Sequence, residues 1–175
     1  MQEILTTERL HLRPFLDKDN SDLLEMLANR ELMQYMDVPL IQNEEQAKLW
    51  LKNIQSKQDV ILFALESKEE KKVIGSVAFI HLNKDHYFAS LSYFIHHNYQ
   101  RKGFAIEALR ALINHGFIDK LLNRMEAQVH TKNMASQRLL EKLGFKSEGE
   151  LKENFLIGNS FYNSYLYALI KRDWY

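Results

Sequence analysis

The sequence predicts a mixed α/β fold built on a mostly antiparallel sheet, and three stretches predict it. Residues 60–95 hold three apolar runs separated by charged or polar turns, the pattern of an antiparallel meander. A helical stretch from Phe104 toward His115 leads to residues 124–130, whose alternating apolar positions mark a strand that a crossover helix sets parallel to its predecessor. Two final strands, at about 150–156 and 162–170, flank the Gly158-Asn159 turn as a hairpin.

In chain order, Leu10 and Leu12 alternate with His11 and Arg13 ahead of Pro14, predicting a first strand broken by the proline. Residues 17–20 cap a helix in which Leu23, Leu24, Met26, Leu27 and Leu32 recur at helical spacing. A second helix follows Asn43, with Ala47, Leu49, Trp50, Leu51 and Ile54 as its apolar set. Residues 60–65 read as a buried strand, 67–72 as a charged hairpin connection and 73–80 as the next strand. The polar turn at 83–86 returns the chain, and the strand at 88–95 delivers it to a turn at Gln100. After the crossover, Asn133 stands near the start of a helix with Leu139, Leu140 and Leu143 on one face and Gly144 as its left-handed stop.

At 175 residues the chain has the length of one domain with its own core, so residues 1–175 are read as a single domain. It carries 23 basic and 23 acidic residues and no basic block, which argues against a nucleic-acid partner. The absence of cysteine excludes disulfides, thiolate metal sites and a thiol nucleophile. The N-terminal stretch from Met1 to Arg9 has no basic region followed by an apolar run, and no segment is long enough to cross a bilayer. A cytoplasmic protein without a membrane partner is the expectation.

The chemistry centres on Tyr93-Phe-Ile-His-His-Asn-Tyr-Gln-Arg-Lys-Gly-Phe-Ala105, a strand, a turn and a helix start. The first backbone N–H groups of a helix have no intrahelical partner, and the helix dipole adds partial positive charge there. Gly103 keeps the wall of the turn thin, Ala105 lets a ligand approach the backbone, and Arg101 and Lys102 add full charges. The expected ligand is a pyrophosphate. A P-loop or Rossmann site is excluded, because the glycines of both motifs are missing.

Three stretches then carry a family resemblance. Thr7-Glu-Arg-Leu-His-Leu-Arg-Pro14, Tyr99-Gln-Arg-Lys-Gly-Phe-Ala-Ile-Glu-Ala-Leu109 and Asn133-Met-Ala-Ser-Gln-Arg-Leu-Leu-Glu-Lys-Leu-Gly-Phe145 together resemble the GNAT superfamily of acetyl-CoA-dependent N-acyltransferases, and within it the RimJ/RimL branch. The resemblance implies a mixed, splayed sheet of about seven strands with helices on both faces, and acetyl-CoA as acetyl donor with no metal. It implies that Tyr93, Phe94 and Ile95 offer free backbone to the pantetheine arm, and that an N–H near Phe94 or Ile95 stabilises the oxyanion. The amides of Gln100, Arg101, Lys102, Gly103, Phe104 and Ala105 would hold the pyrophosphate, with Arg101 and Lys102 as outer charges or plain surface residues. Asn133 would bond the pantetheine arm as well as cap its helix, and Arg138 or Lys142 would lie toward the adenosine phosphates.

Where many members of the superfamily carry a tyrosine as proton source for the leaving sulfur, this chain has Leu140, so Ser136 becomes the expected donor. Expected carboxylate bases are replaced by Ser90, Asn154 and Asn163, leaving Glu126, Glu153, His96 and His130 as alternatives. An α-amine with a pKa of about 7.7–8.0 needs far less base than a lysine-like amine near 10.4. The resemblance and the missing carboxylates therefore favour a protein or peptide N-terminus as acceptor. The rivals are a small amine (polyamine, amino acid or aminoglycoside), for which Asp37, Glu44 and Glu45 are available acids, and a non-catalytic acyl-CoA sensor. Phe161, Tyr162, Tyr165 and Trp174 read either as core or as an apolar surface for a homodimer.

Overall fold

The computed structural model describes residues 3–175; Met1 and Gln2, which open the N-terminal stretch read above, lie outside them. Its strands are β1 (Leu5–Thr6), β2 (Leu10–Arg13), β3 (Ile61–Ser67), β4 (Val73–Asn83), β5 (Phe88–Ile95), β6 (Arg124–His130), β7 (Lys146–Ile157) and β8 (Ser160–Ile170). The helices are α1 (Asn20–Leu27), α2 (Arg30–Met33), α3 (Glu44–Gln55), α4 (Phe104–Ile118) and α5 (Met134–Lys142). The strands form one sheet in the order β1-β2-β3-β4-β5-β6-β8-β7, parallel only between β5 and β6.

The sheet has eight strands, because the short β1 pairs with β2 at the outer edge. The helical spacing that runs from Leu23 to Leu32 is divided between α1 and α2. Asn29 leaves helical geometry at φ −82°, ψ 106°, and its side chain accepts the Leu32 N–H at 3.0 Å, starting a new helix. Asn43 and Asn133 cap α3 and α5 in the same way. The final hairpin inserts β8 between β6 and β7.

Helices cover both faces. On one, Leu109, Leu112, Ile113 and Phe117 of α4 and Leu140 of α5 bury against Phe63, Val77, Phe79 and Leu91 of the sheet. On the other, Leu23, Met26 and Leu27 of α1 and Ala47 and Leu51 of α3 pack over Ala64, Val73 and Phe94. Gly116 lets α4 lie close to the sheet, since a Cβ there would stand 2.1 Å from the Met125 methyl.

The feature that positions the site is a break in the sheet. β5 and β6 pair only at Phe88↔Arg124, Ala89↔Met125 and Ser90↔Glu126. Beyond Ser90 the strands diverge, leaving Leu91–Ile95 on one side and Ala127–His130 on the other without partners across the gap. Trp174 is tied to α4 through its indole N–H to Asn114, whereas Phe161 is exposed on β8. Among the described residues, no helix is long and apolar enough to cross a membrane.

Candidate active site

A cavity of about 1120 Å³ fills the gap between β5 and β6 and continues over the start of α4. It is lined by Tyr93, Phe94, Ile95, Gln100, Arg101, Gly103, Phe104, Ala105, Asn133, Ser136, Arg138 and Lys142, so the structure gathers nearly every site residue read from the sequence. Lys102 is outside the lining: its ammonium sits 5.4 Å from the centre of the Tyr99 ring. Arg101, Arg138 and Lys142 are the arginine and lysine residues that line it. Glu31 and Asp37 are the acids that line it, and both come from α2 and the segment after it.

The open edge of β5 has a defined polarity. His96 donates its N–H to the Ile74 carbonyl at 2.8 Å, so its backbone faces β4. Backbone groups alternate along a strand, so Phe94 also belongs to the β4 ladder and the N–H groups of Tyr93 and Ile95 face the gap. Of the two amides expected to serve the oxyanion, Ile95 is therefore the one turned toward the cavity. The Gln100 side-chain amide donates to the Ile95 carbonyl at 3.0 Å, fastening the turn to the strand end.

The turn is wrapped by two left-handed residues, Arg101 at φ 60° and Gly103 at φ 84°. The second position explains the glycine, because L-residues rarely adopt this geometry and a Cβ would also lie 3.2 Å from the Arg9 guanidinium. Glu107 closes the first helical bond by donating to Gly103 O at 3.1 Å, and the preceding amides of Phe104, Ala105 and Ile106 have no intrahelical partner.

Arg9 was part of a motif in the sequence but had no assigned role. Its guanidinium stacks 4.3 Å from the centre of the Phe104 ring, donates to the Lys102 carbonyl at 2.9 Å and pairs with Glu107 at 2.6 Å. The Thr7 hydroxyl and the Arg9 N–H donate to the same carboxylate at 2.6 and 2.8 Å. Burial opposes charge on Glu107, but these bonds outweigh it and hold its pKa below the ordinary value. The co-occurrence of the two motifs was the signal available in the sequence.

Ser136 Oγ shares a hydrogen bond of 2.7 Å with the Tyr93 phenol, whose side chain crosses from β5 to α5. Burial pushes the Tyr93 pKa up to about 12, against a smaller lowering by Ser136, so the phenol stays protonated at neutral pH. Asn133 accepts the Ser136 N–H at 3.1 Å, as its capping role requires. Leu140, one turn beyond Ser136, is fully buried in the core.

Two of the four alternatives for a base, Glu126 and His96, are engaged elsewhere. Glu126 accepts from Arg124 Nε at 2.7 Å, and both His96 nitrogens are occupied, by Asn98 N–H at 3.2 Å and Glu25 at 2.9 Å. His130 lines the cavity with Tyr35 and Tyr162 against its ring, at centroid distances of 5.0 and 4.9 Å. Burial first, and then the charge of Lys132, lowers its pKa. Its Nδ1 accepts the Lys132 N–H at 3.0 Å, so the neutral ring carries its proton on Nε2 and presents a donor. Glu153 is exposed and outside the lining. Asn154 bonds Gln128 and Ser164, and Asn163 bonds Glu150.

Known proteins share this architecture. A family model for the GNAT acetyltransferase domain matches residues 9–146. The chain is 31% identical over 174 residues to the uncharacterized N-acetyltransferase YoaA of Bacillus subtilis, covering 98% of each. It is 32% identical over 180 residues to the ribosomal protein uS5-alanine N-acetyltransferase of Escherichia coli, covering 97% of this chain and 92% of that one. In three dimensions it resembles the spermidine N-acetyltransferase of Vibrio cholerae solved with CoA and spermine, at TM-score 0.84 and 23% identity, covering 95% and 98% of the two chains.

Proposed function

The chain belongs to the GNAT acetyltransferase family and is an acetyl-CoA-dependent N-acetyltransferase, and we propose that its acceptor is the α-amine of a protein or peptide N-terminus, acetylated in the cytoplasm. The observation that carries this reading is the lining of the break in the sheet. Ser90, Gln128, which Asn154 holds from behind, and a His130 whose Nε2 carries the proton stand where a carboxylate base would be needed to deprotonate a lysine-like amine. An α-amine is about a tenth neutral at pH 7 and gives up its proton to water, so orientation and charge stabilisation suffice. The similarity to an enzyme named for a ribosomal-protein alanine supports the same acceptor class.

In this reading the amine attacks the thioester directly in a ternary complex. The Ile95 N–H receives the developing oxyanion, a contact of a kind whose loss costs about 10²–10³ in turnover. Ser136 donates its hydrogen toward the departing sulfur, and Tyr93 donates to Ser136. The α4 amides with Arg101 hold the pyrophosphate, Asn133 meets the pantetheine arm, and Arg138 and Lys142 face the adenosine phosphates.

The test is initial rates with a lysine-free peptide bearing a free N-terminus, an N-blocked peptide containing lysine, and spermidine, each across pH. The free N-terminus should react fastest, with a rate that rises through a midpoint near pH 8 toward a plateau above about pH 9 as the amine deprotonates. Faster turnover of spermidine or of the lysine peptide overturns the acceptor class. CoA binding by calorimetry without turnover on any amine would favour the sensor instead.

A further inference from the structure

Beneath α3 lies a second cavity of about 220 Å³, and the sequence explains why it is there. Across the sheet, Leu62 pairs with Ala78 and Ala78 with Ser92, while Ser76 pairs with Phe94 one step along. Small residues on this face leave a space that Trp50 and Ile54 of α3 roof without filling. The opposite face of the same strands carries Val77, Phe79 and Leu91, which are packed into the core. The small cavity shares Met36, Val38, Ile80, Ser92 and Phe94 with the large one, so the two adjoin beside the open end of β5.

We propose that this cavity is the subsite for the side chain of the acceptor's first residue, and that it selects N-termini beginning with an uncharged apolar residue of leucine or methionine size. The inference rests on the α-amine reading. Size argues for one side chain: an apolar cavity of about 150 Å³ accommodates benzene, whereas whole ligands occupy about 300 Å³ or more. Chemistry argues for an apolar one. Trp50, Ile54, Leu62 and Ala78 line the interior; of the charged lining residues Asp37, Lys57 and His81 are exposed, and the half-buried Asp59 is turned to His81 at 3.6 Å. A lysine or aspartate side chain would have to leave water without a partner inside. Position argues for the first residue, since the cavity adjoins the strand whose Ile95 amide faces the reacting carbonyl.

The experiment uses a set of peptides that differ only in their first residue (Gly, Ala, Leu, Met, Lys or Asp), with kcat/KM measured on the intact chain. Leu and Met should exceed Gly by about tenfold or more, since even one methylene in an apolar pocket changes kcat/KM by about ten- to two-hundred-fold. Filling the cavity with Ala78→Met, or independently with Leu62→Phe from the neighbouring strand β3, both outside the lining of the large cavity, should bring Leu down to the level of Gly while Gly turnover persists. Equal rates across the set, or an unchanged Leu preference in both filled variants, overturn the subsite and leave the α-amine reading standing. Acetylation of spermidine with no reaction on any peptide removes both.

Discussion

Tyr93 and Ser136 come from different elements, β5 and α5, and meet through their hydroxyls at 2.7 Å across the break in the sheet. A serine alone is a poor proton source, and its usefulness depends on which way its hydrogen points. With the phenol, which stays protonated up to about pH 12, as the donor of this bond, the serine hydrogen would be free for sulfur, as the proposed mechanism requires. Tyr93→Phe should therefore lower kcat by about twofold to twelvefold, the worth of one neutral hydrogen bond of about 0.5–1.5 kcal/mol, with CoA affinity nearly unchanged. Ser136→Ala should cost more, and the double variant no more than Ser136→Ala, because the phenol acts through the serine. Steady-state kinetics beside calorimetric CoA titration checks this; equal losses in turnover and CoA affinity would make the pair a binding contact. In the sequence Tyr93 was legible only as strand backbone. Its partner is 43 positions away, and their meeting depends on how far β5 and β6 diverge, which no local pattern encodes.

At the scale of elements, the start of α4 is held by the N-terminal segment. A carboxylate near a helix N-terminus suits the dipole, but Glu107 would repel a pyrophosphate bound to the same amides. Arg9 removes that conflict by neutralising Glu107 while fixing the Lys102 carbonyl. Arg9→Ala should weaken CoA binding by about tenfold, a discounted value because the guanidinium is part-exposed. Adding Glu107→Gln should restore part of the loss, since the uncompensated charge is then gone. Gly103→Ala should also weaken binding, with a left-handed penalty of about 1–2 kcal/mol. Calorimetric Kd values beside thermal midpoints separate a lost clamp from a lost fold; CoA affinity unmoved by Arg9→Ala would sink the clamp. The elements themselves were largely legible. β5, β6, α4 and the caps at Asn43 and Asn133 follow from periodicity and local chemistry within a turn or two. What escaped was non-local or masked: the two-residue β1 has no pattern to show, Asn29 breaks a helix inside an apolar repeat, and the place of β8 between β6 and β7 depends on pairing between remote segments.

Across the whole molecule, ion pairs join remote segments and make stability respond to pH in one direction. Arg13 of β2 binds Asp19 at 2.7 Å and also pairs with Glu66 of β3, while Glu25 of α1 meets Lys72 at 2.9 Å and Arg124 of β6 meets Glu148 of β7. Hydrogen bonds from Lys72 and from Arg124 lower Glu25 and Glu148; at Glu66 burial acts against the charge, but the bond from Arg13 prevails. Each of these carboxylates binds fewer protons folded than unfolded at the same acid pH. Their stabilisation is complete above the unfolded pKa of about 4.3 and disappears as pH falls through the lower folded value. His130 adds to this at higher pH. Its folded pKa is depressed, so below about 6.5 the unfolded chain takes a proton that the folded one resists, and stability again falls with pH. The thermal midpoint should thus be level from pH 8 to 7, decline gently below about 6.5 and fall steeply below about 4.3. Glu66→Gln should lower the midpoint at pH 7 yet flatten the steep acid limb, because one titrating partner of Arg13 is gone. His130→Asn should flatten only the gentle decline. A midpoint that rises on acidification toward pH 5, or an acid limb identical in Glu66→Gln, would mean that these pairs do not govern the acid stability of the fold.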